Sequence, residues 1–457
     1  MSGLFITIKN LFYSGDSLSA KVVKNIIYSA LLKFISILVS FCLIRVTYDY
    51  LRQEDIYGMW LTILSLLSWI NFFDIGLGQS LRNRLAEAIA LKDTDKGRDY
   101  VSTSYVIIGI FVITLLLIYF AITPYINWNK VFNSYVIDSY HLRKLMNLTV
   151  FFYLLSFFLS LIKSISFAFQ DAVLPSLFGV ISNTAFLIIL FILYKCNMSG
   201  IIILAGVYSG ISTAVLAIAS IYLFFTKYRD IRPRFKSVKF NYAPDLLSLG
   251  IKFFIIQIAA LIIFTTDNIV ITQVLGPAYV TPYQIAFKLF SIFSMAASII
   301  LSPFWSAYTD AYSKGDNRWI IKILKKHMCL MIPLIIGVAL TVLFSKQIIT
   351  IWMGNKIQVP FLLILLIGIY TVMFVWNSIF AYIFNGIGKI RSSLIFSVFA
   401  AVINIPISIY LAKQIGVSGV ILGNIVSLSF GAVLEPIKFY YIFYSKEKRR
   451  ILDELFS

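Results

Sequence analysis

The residues able to carry charge or protons inside this sequence are few and widely spaced. Asp267 and Lys288 stand ten residues before and eleven after Pro277, the centre of a turn between two long apolar runs. Antiparallel helices joined at that proline would hold the two at one level, where a salt bridge could form. Such a pair could simply secure the hairpin, since buried ion pairs are weak signs of function. Alternatively, Asp267 could take up a proton or Na⁺ and release Lys288 as the helices move. Lys33 lies about ten residues into the first apolar run, roughly 15 Å deep at 1.5 Å per residue and so near the middle of a membrane span. A lysine at that depth either lines an aqueous path or pairs inside its own bundle. Lys163 and Lys252 fall near the ends of their runs. Their stems are long enough to snorkel to an interface, yet as point charges they could also meet a phosphate.

Other chemistries find little to work with. Cys42, Cys196 and Cys329 are scattered through apolar surroundings without CxxC spacing, which argues against a metal site or a disulfide framework. His141 and His327 are the only histidines, too few for a histidine-based metal cluster or a catalytic triad. No GxxxxGK[ST] loop is present to cradle a nucleotide. The expectation is therefore no cofactor and no metal, with H⁺ or Na⁺ as the coupling ion of any active cycle.

The elements that must hold these residues are membrane helices. Hydrophobic residues make up 60% of the 457, charged residues 13%, and the mean hydropathy is +0.89, far from the roughly one-quarter charged composition of soluble domains. The net charge of +19 would suggest nucleic acid in a soluble chain. Here the bases sit in short loops between apolar runs, where they set orientation, and nucleic-acid binding is not expected. Twelve runs long enough to span a bilayer follow one another, the first at 23–46, the second at 57–77, the seventh at 246–272 and the last at 417–444. Alternate loops hold 25 and nine of the bases, which places both termini in the cytoplasm. The amino end is too polar for a signal-peptide core; it reads as an interfacial amphipathic helix or a frayed tail.

The longest polar connection, 226–246, carries Lys227, Arg229, Arg232, Arg234, Lys236 and Lys239 against Asp230 and Asp245. It divides the chain into a six-helix lobe at 1–225, a basic cytoplasmic linker at 226–245, and a second six-helix lobe with a tail at 246–457. The linker is either a solvated loop without a partner or a surface that senses anionic headgroups. The two halves are alike at three anchors: Leu51 matches Leu275, Lys92 matches Lys314 and Ser199 matches Ser418, at offsets of 224, 222 and 219. A duplicated even-numbered unit keeps its orientation, so the copies would be related by an axis along the membrane normal, with a substrate path between them. At the offset of 224 Lys33 corresponds to Gln257, which gives each lobe a polar group at similar depth.

At these anchors the sequence resembles a known family. RVTYDYLRQEDIYGMW, then FFDIGLGQSLRNRLAEAIALKDTDKGRDYVSTSY, and TDNIVITQVLGPAYVTPYQIAFKLF in the second half are similar to the Wzx-type polysaccharide flippases. These belong to the multidrug/oligosaccharidyl-lipid/polysaccharide (MOP) exporter superfamily. The resemblance spans the whole chain in length, span number and repeat layout. It implies an all-α, MATE-like fold of two six-helix lobes around a V-shaped cavity, and alternating access. It further implies a monomer in the bacterial cytoplasmic membrane that moves undecaprenyl-diphosphate-linked oligosaccharide to the periplasmic leaflet. Other polysaccharide-assembly proteins are the implied partners. The family's polar translocation residues vary, so no individual site residue follows from the likeness.

Two rivals remain open. A drug or metabolite exporter of the same fold would favour mid-membrane carboxylates in the first lobe, where this chain has Lys33 at depth. A membrane polymerase or ligase would need a sizeable external loop, and the longest, 123–144, offers Asp138, His141, Arg143 and Lys144. Asn183, Asn377, Asn404 and Asn424 interrupt apolar runs and are expected to hydrogen-bond between helices, with sugar hydroxyls as a second partner. Glu435 and Lys438, three apart, are expected to pair.

Overall fold

In a computed structural model, residues 17–70, 77–169, 171, 173–244, 246, 266–301, 304–389 and 391–444 are described. Among them are seventeen α-helices and no strand. Ten spans are long and apolar enough to cross a membrane, and they coincide with ten of the twelve expected runs. The second expected span is seen as a shorter helix, Glu54–Ser68, and the seventh lies mostly outside the described residues.

The chain divides into two compact units. The first comprises Met1–Leu51, Ile70–Asn127 and Ser139–Phe254. Its helices are α1 (Ser17–Leu51), α3 (Leu77–Ala90), α4 (Thr94–Ile122), α6 (Ser139–Leu159), α7 (Leu161–Ala168), α8 (Val173–Lys195) and α9 (Ile201–Phe225). Helix α1 packs along α8, α6 along α9, and α3 against α4 and α7. The second unit comprises Arg52–Trp69, Trp128–Asp138 and Ile255–Ser457. It holds α2 (Glu54–Ser68), α5 (Trp128–Phe132), α10 (Asp267–Val274), α11 (Val280–Leu301), α12 (Phe304–Ser313), α13 (Asn317–Leu343), α14 (Ser345–Met353), α15 (Phe361–Gly386), α16 (Arg391–Ile415) and α17 (Val417–Phe443). The segment 1–225 thus contributes most of the first unit but gives α2 and the short α5 to the second.

One capping device opens corresponding helices in both units. Asp93 accepts from the Lys96 amide at 2.9 Å to begin α4, and Asp316 accepts from the Trp319 amide at 3.0 Å to begin α13. A carboxylate at this position satisfies an orphan N–H and complements the positive end of the helix dipole. The Lys92 and Lys314 anchors of the repeat are therefore the loops that carry these caps.

The second unit relies on close approach. A Cβ on Gly419 would fall 2.2 Å from the Leu411 backbone, and one on Gly423 would fall 2.3 Å from Ser408 Oγ. Two glycines four apart let α17 lie directly on α16, a small-residue packing suited to a bilayer, where apolar burial alone drives little association. Below this pair an aromatic and aliphatic core joins α11, α12, α13, α15 and α17 through Tyr308, Ile383, Phe380 and Phe439. Lys438 is fully buried there; its ammonium lies 3.9 Å from the Phe384 ring centroid and donates to the Lys389 carbonyl at 2.7 Å, just past the end of α15.

The basic linker is docked onto its own unit. Three short 3₁₀ turns, Arg229–Ile231, Phe235–Ser237 and Phe240–Tyr242, run along the start of α4. The amides of Arg234 and Lys239 donate to Ser102 Oγ and Thr103 Oγ1, both at 3.0 Å. Lys239 Nζ lies 2.6 Å from Asp99 Oδ2, and Arg98 Nε donates to the Asp230 carbonyl at 2.9 Å. The expectation of a loop without a partner therefore gives way to a fixed strap. The contacts are backbone amides meeting short polar side chains in the first turns of a helix.

Candidate functional site

The most concentrated polar chemistry among the described residues lies inside the second unit, around Asp267. This residue is the first of α10, so its carboxylate meets the positive end of that helix. It is 7% exposed. Its Oδ2 accepts from the Tyr283 hydroxyl of α11 at 2.5 Å and from Asn424 Nδ2 of α17 at 2.7 Å. Its Oδ1 is buried and has no hydrogen-bond partner among the described residues. Asn424 is held in turn by Asn404 of α16, which donates to its Oδ1 at 2.7 Å and reaches Ser427 Oγ at 3.3 Å. Asn404 Oδ1 is likewise buried without a partner among the described residues. Three helices thus converge on a carboxylate with spare acceptor capacity, an arrangement that costs free energy unless something protonates or coordinates it.

The neighbouring residue extends the network. Asn268 donates from Nδ2 to Ser65 Oγ of α2 at 2.6 Å and accepts at Oδ1 from Gln284 of α11 at 2.7 Å. One turn along, Thr62 and Thr272 share a hydrogen bond of 2.7 Å. A cavity of about 80 Å³, lined by Ser65, Ser68, Asp267, Asn268, Tyr283 and Gln284, opens beside the carboxylate. Helix α2 reaches this site because Gly58 presses on the turn before α11; a Cβ there would lie 1.7 Å from the Pro277 carbonyl oxygen.

Chemically, the cluster offers carboxylate, amide and hydroxyl oxygens with no nitrogen or sulfur ligand. No group of three or more His, Cys, Asp or Glu side chains poised for a metal occurs among the described residues. A proton on Oδ1, or a small hard cation bound by oxygens, suits this donor set.

The expected residues fare differently. Asp267 is at the centre, but the expected bridge to Lys288 is not formed: Tyr283 and Asn424 take the carboxylate, while Lys288 is half-buried and engaged with other groups. Lys288 stands on a different side of α11 from Tyr283. Five residues along α11 from Tyr283 turn it by about 500°, or 140° net. Lys33 is exposed on α1 with no hydrogen-bond or ion-pair partner among the described residues. Lys163 is half-buried on α7. Gln257 and Lys252 lie outside the described residues. Sequence reasoning missed Tyr283, Asn268, Gln284 and Ser65, and saw Asn404 and Asn424 as interhelical glue with sugar hydroxyls as a second partner. Asn404 and Asn424 stand twelve residues before and eight after Gly416, and their place on two helices joined by so short a connection was the available signal.

Comparison with known proteins places the chain in a family. The sequence profile of the polysaccharide biosynthesis proteins matches residues 22–309. A protein of Yersinia pseudotuberculosis named for O-antigen export is 25% identical over 403 residues, covering 86% of this chain and 90% of its own length. A Salmonella typhimurium protein named as an O-antigen transporter is 24% identical over 391 residues, covering 82% and 86%. Among solved structures, an inward-facing multidrug resistance MATE transporter of the MOP superfamily aligns with a TM-score of 0.74 at 15% identity, over 92% of this chain and all of that one. The lipid II flippase MurJ aligns at 0.71 and 15%, over 90% and 87%. The chain is a multi-span membrane protein with the fold of these exporters, and it belongs to the polysaccharide biosynthesis protein family.

Proposed function

We propose that this chain is a flippase that moves a polyprenyl-diphosphate-linked oligosaccharide, of the undecaprenyl type, from the cytoplasmic to the periplasmic leaflet of a bacterial inner membrane. The observation that carries this reading is the extent of the likeness to proteins named for O-antigen export, which covers more than four-fifths of this chain and runs through both halves. The physics of the task fits. A diphosphate and several sugars cannot cross about 30 Å of hydrocarbon unaided, so a protein must offer polar groups along the way. Lys33 and Lys163, with Gln257 and Lys252, are the residues proposed to meet that headgroup. Alternating access needs a conformational bias, and the Asp267 cluster supports one. When Oδ1 gains a proton or a Na⁺, the cost of the buried orphan acceptor is removed, and the two states of the cycle separate in energy. The proposal sets aside catalysis: the relatives are named as transporters. Both termini on the cytoplasmic side, and function as a monomer, belong to the same reading.

The test is reconstitution into liposomes with an H⁺ or Na⁺ gradient imposed, offering either a labelled diphosphate-linked oligosaccharide or an amphipathic organic cation. Gradient-dependent movement of the first supports a flippase. Movement of the second alone would establish a drug exporter of the same fold.

A further inference from the structure

We infer that the strap at 226–244 is a membrane-binding platform whose partner is an anionic phospholipid surface, a role that does not depend on what the protein transports. Its inward side is fully committed. Tyr228 and Ile231 are buried, Tyr242 packs on Tyr100 at 4.8 Å between ring centroids, and Lys227 pairs with Asp171. Its outward side is not. Phe235 is 93% exposed and Phe240 59% exposed, although the chain around them is pinned. Each follows a residue whose amide is bonded to α4, so these rings are held out by the fold.

Depth decides what meets them. The bonded partners, Ser102 and Thr103, stand at the point where α4 passes from its polar first turns into its apolar run. Arg232 lies over the ring of Phe225 at 5.1 Å, and Phe225, 65% exposed, is the last residue of the α9 span. The strap therefore sits level with the ends of two membrane spans, in the interfacial zone. Aromatic rings at that level pack among headgroups and upper acyl chains. The charge is complementary as well. Arg229, Arg234 and Lys236 are exposed and form no ion pair among the described residues, whereas Lys227 and Lys239 are neutralised by Asp171 and Asp99. Unpaired bases beside inserted aromatics are what an anionic leaflet attracts. A soluble acidic partner would leave Phe235 and Phe240 without an apolar environment.

The test places a reporter on the strap of the full-length protein. Phe235→Trp, or Phe240→Trp as a second variant, is reconstituted into bilayers of phosphatidylcholine alone or with phosphatidylglycerol, using lipids brominated on the acyl chains. The emission is compared with that of the parent protein. The expected result is a blue-shifted difference spectrum quenched by the brominated chains, more strongly in the anionic bilayer. Adding Arg234→Gln and Lys236→Gln should remove the extra quenching. Water-like, unquenched emission from both variants would overturn the proposal. So would equal quenching in the two bilayers, which would make the contact apolar only.

Discussion

Asp267 is set apart by what the fold leaves undone. Two donors reach one oxygen, and the other is buried without a partner among the described residues. Replacing it with Asn keeps the shape and removes the titratable carboxylate. Asp267→Asn is therefore expected to leave the thermal midpoint of the purified protein nearly unchanged while cutting the transport gain from an imposed ion gradient by about tenfold, the scale of an ordinary coupling energy. Unchanged gradient dependence would remove Asp267 from the coupling step. Asn424→Leu acts differently: it takes a donor from a buried carboxylate and a partner from Asn404, a loss of about 1–3 kcal/mol. Because the two residues are in contact, the double variant should be more stable than the sum of the single losses predicts, as measured by thermal unfolding. Asp267 stood out in the sequence because a carboxylate in an apolar run is conspicuous. The sequence named the wrong partner, because spacing from a proline gives height along a helix but not the direction a side chain faces.

At the scale of elements, two contacts set the geometry. Gly58 lets α2 lie against the turn at Pro277, and Gly58→Ala forces that backbone apart at a cost of about 1–3 kcal/mol. Since α2 supplies Ser65, the same variant should loosen Asn268 as well, read as a lower thermal midpoint together with weaker cation protection. The strap on α4 is the second. Lys239 is held above the ordinary lysine value of 10.5 first by its hydrogen bond to Asp99 and then by that residue's charge. A raised folded-state pKa means the pair's contribution is complete below the unfolded value and lost as pH rises through the folded one. Amide-exchange protection of the strap should accordingly hold through neutral pH and fall only in the alkaline range, and Lys239→Met should flatten that response. Spans were legible in the sequence because their apolar length has one meaning. The strap was not: a run of bases reads as a solvated loop, and Ser102 and Thr103 look like an ordinary helix start until their hydroxyls are seen receiving the linker amides.

For the molecule as a whole, composition and the length of the apolar runs sufficed for an all-helical, multi-span chain, and the repeat anchors at Lys92 and Lys314 lie where the structure shows matching capped helices in the two halves. The assignment of α2 to the second unit was hidden, because hydropathy says that a segment is buried and not against what. The central claim is that a diphosphate-linked glycan changes leaflet through this protein. The most direct measurement uses proteoliposomes carrying a fluorescent polyprenyl-diphosphate oligosaccharide, and follows the fraction cleaved by an impermeant glycosidase outside the vesicles. The account predicts that the shielded pool becomes accessible at a rate proportional to the amount of protein, and more slowly with Asp267→Asn under an ion gradient. A shielded pool that stays as inaccessible as in protein-free vesicles, with the protein folded and inserted, would contradict it.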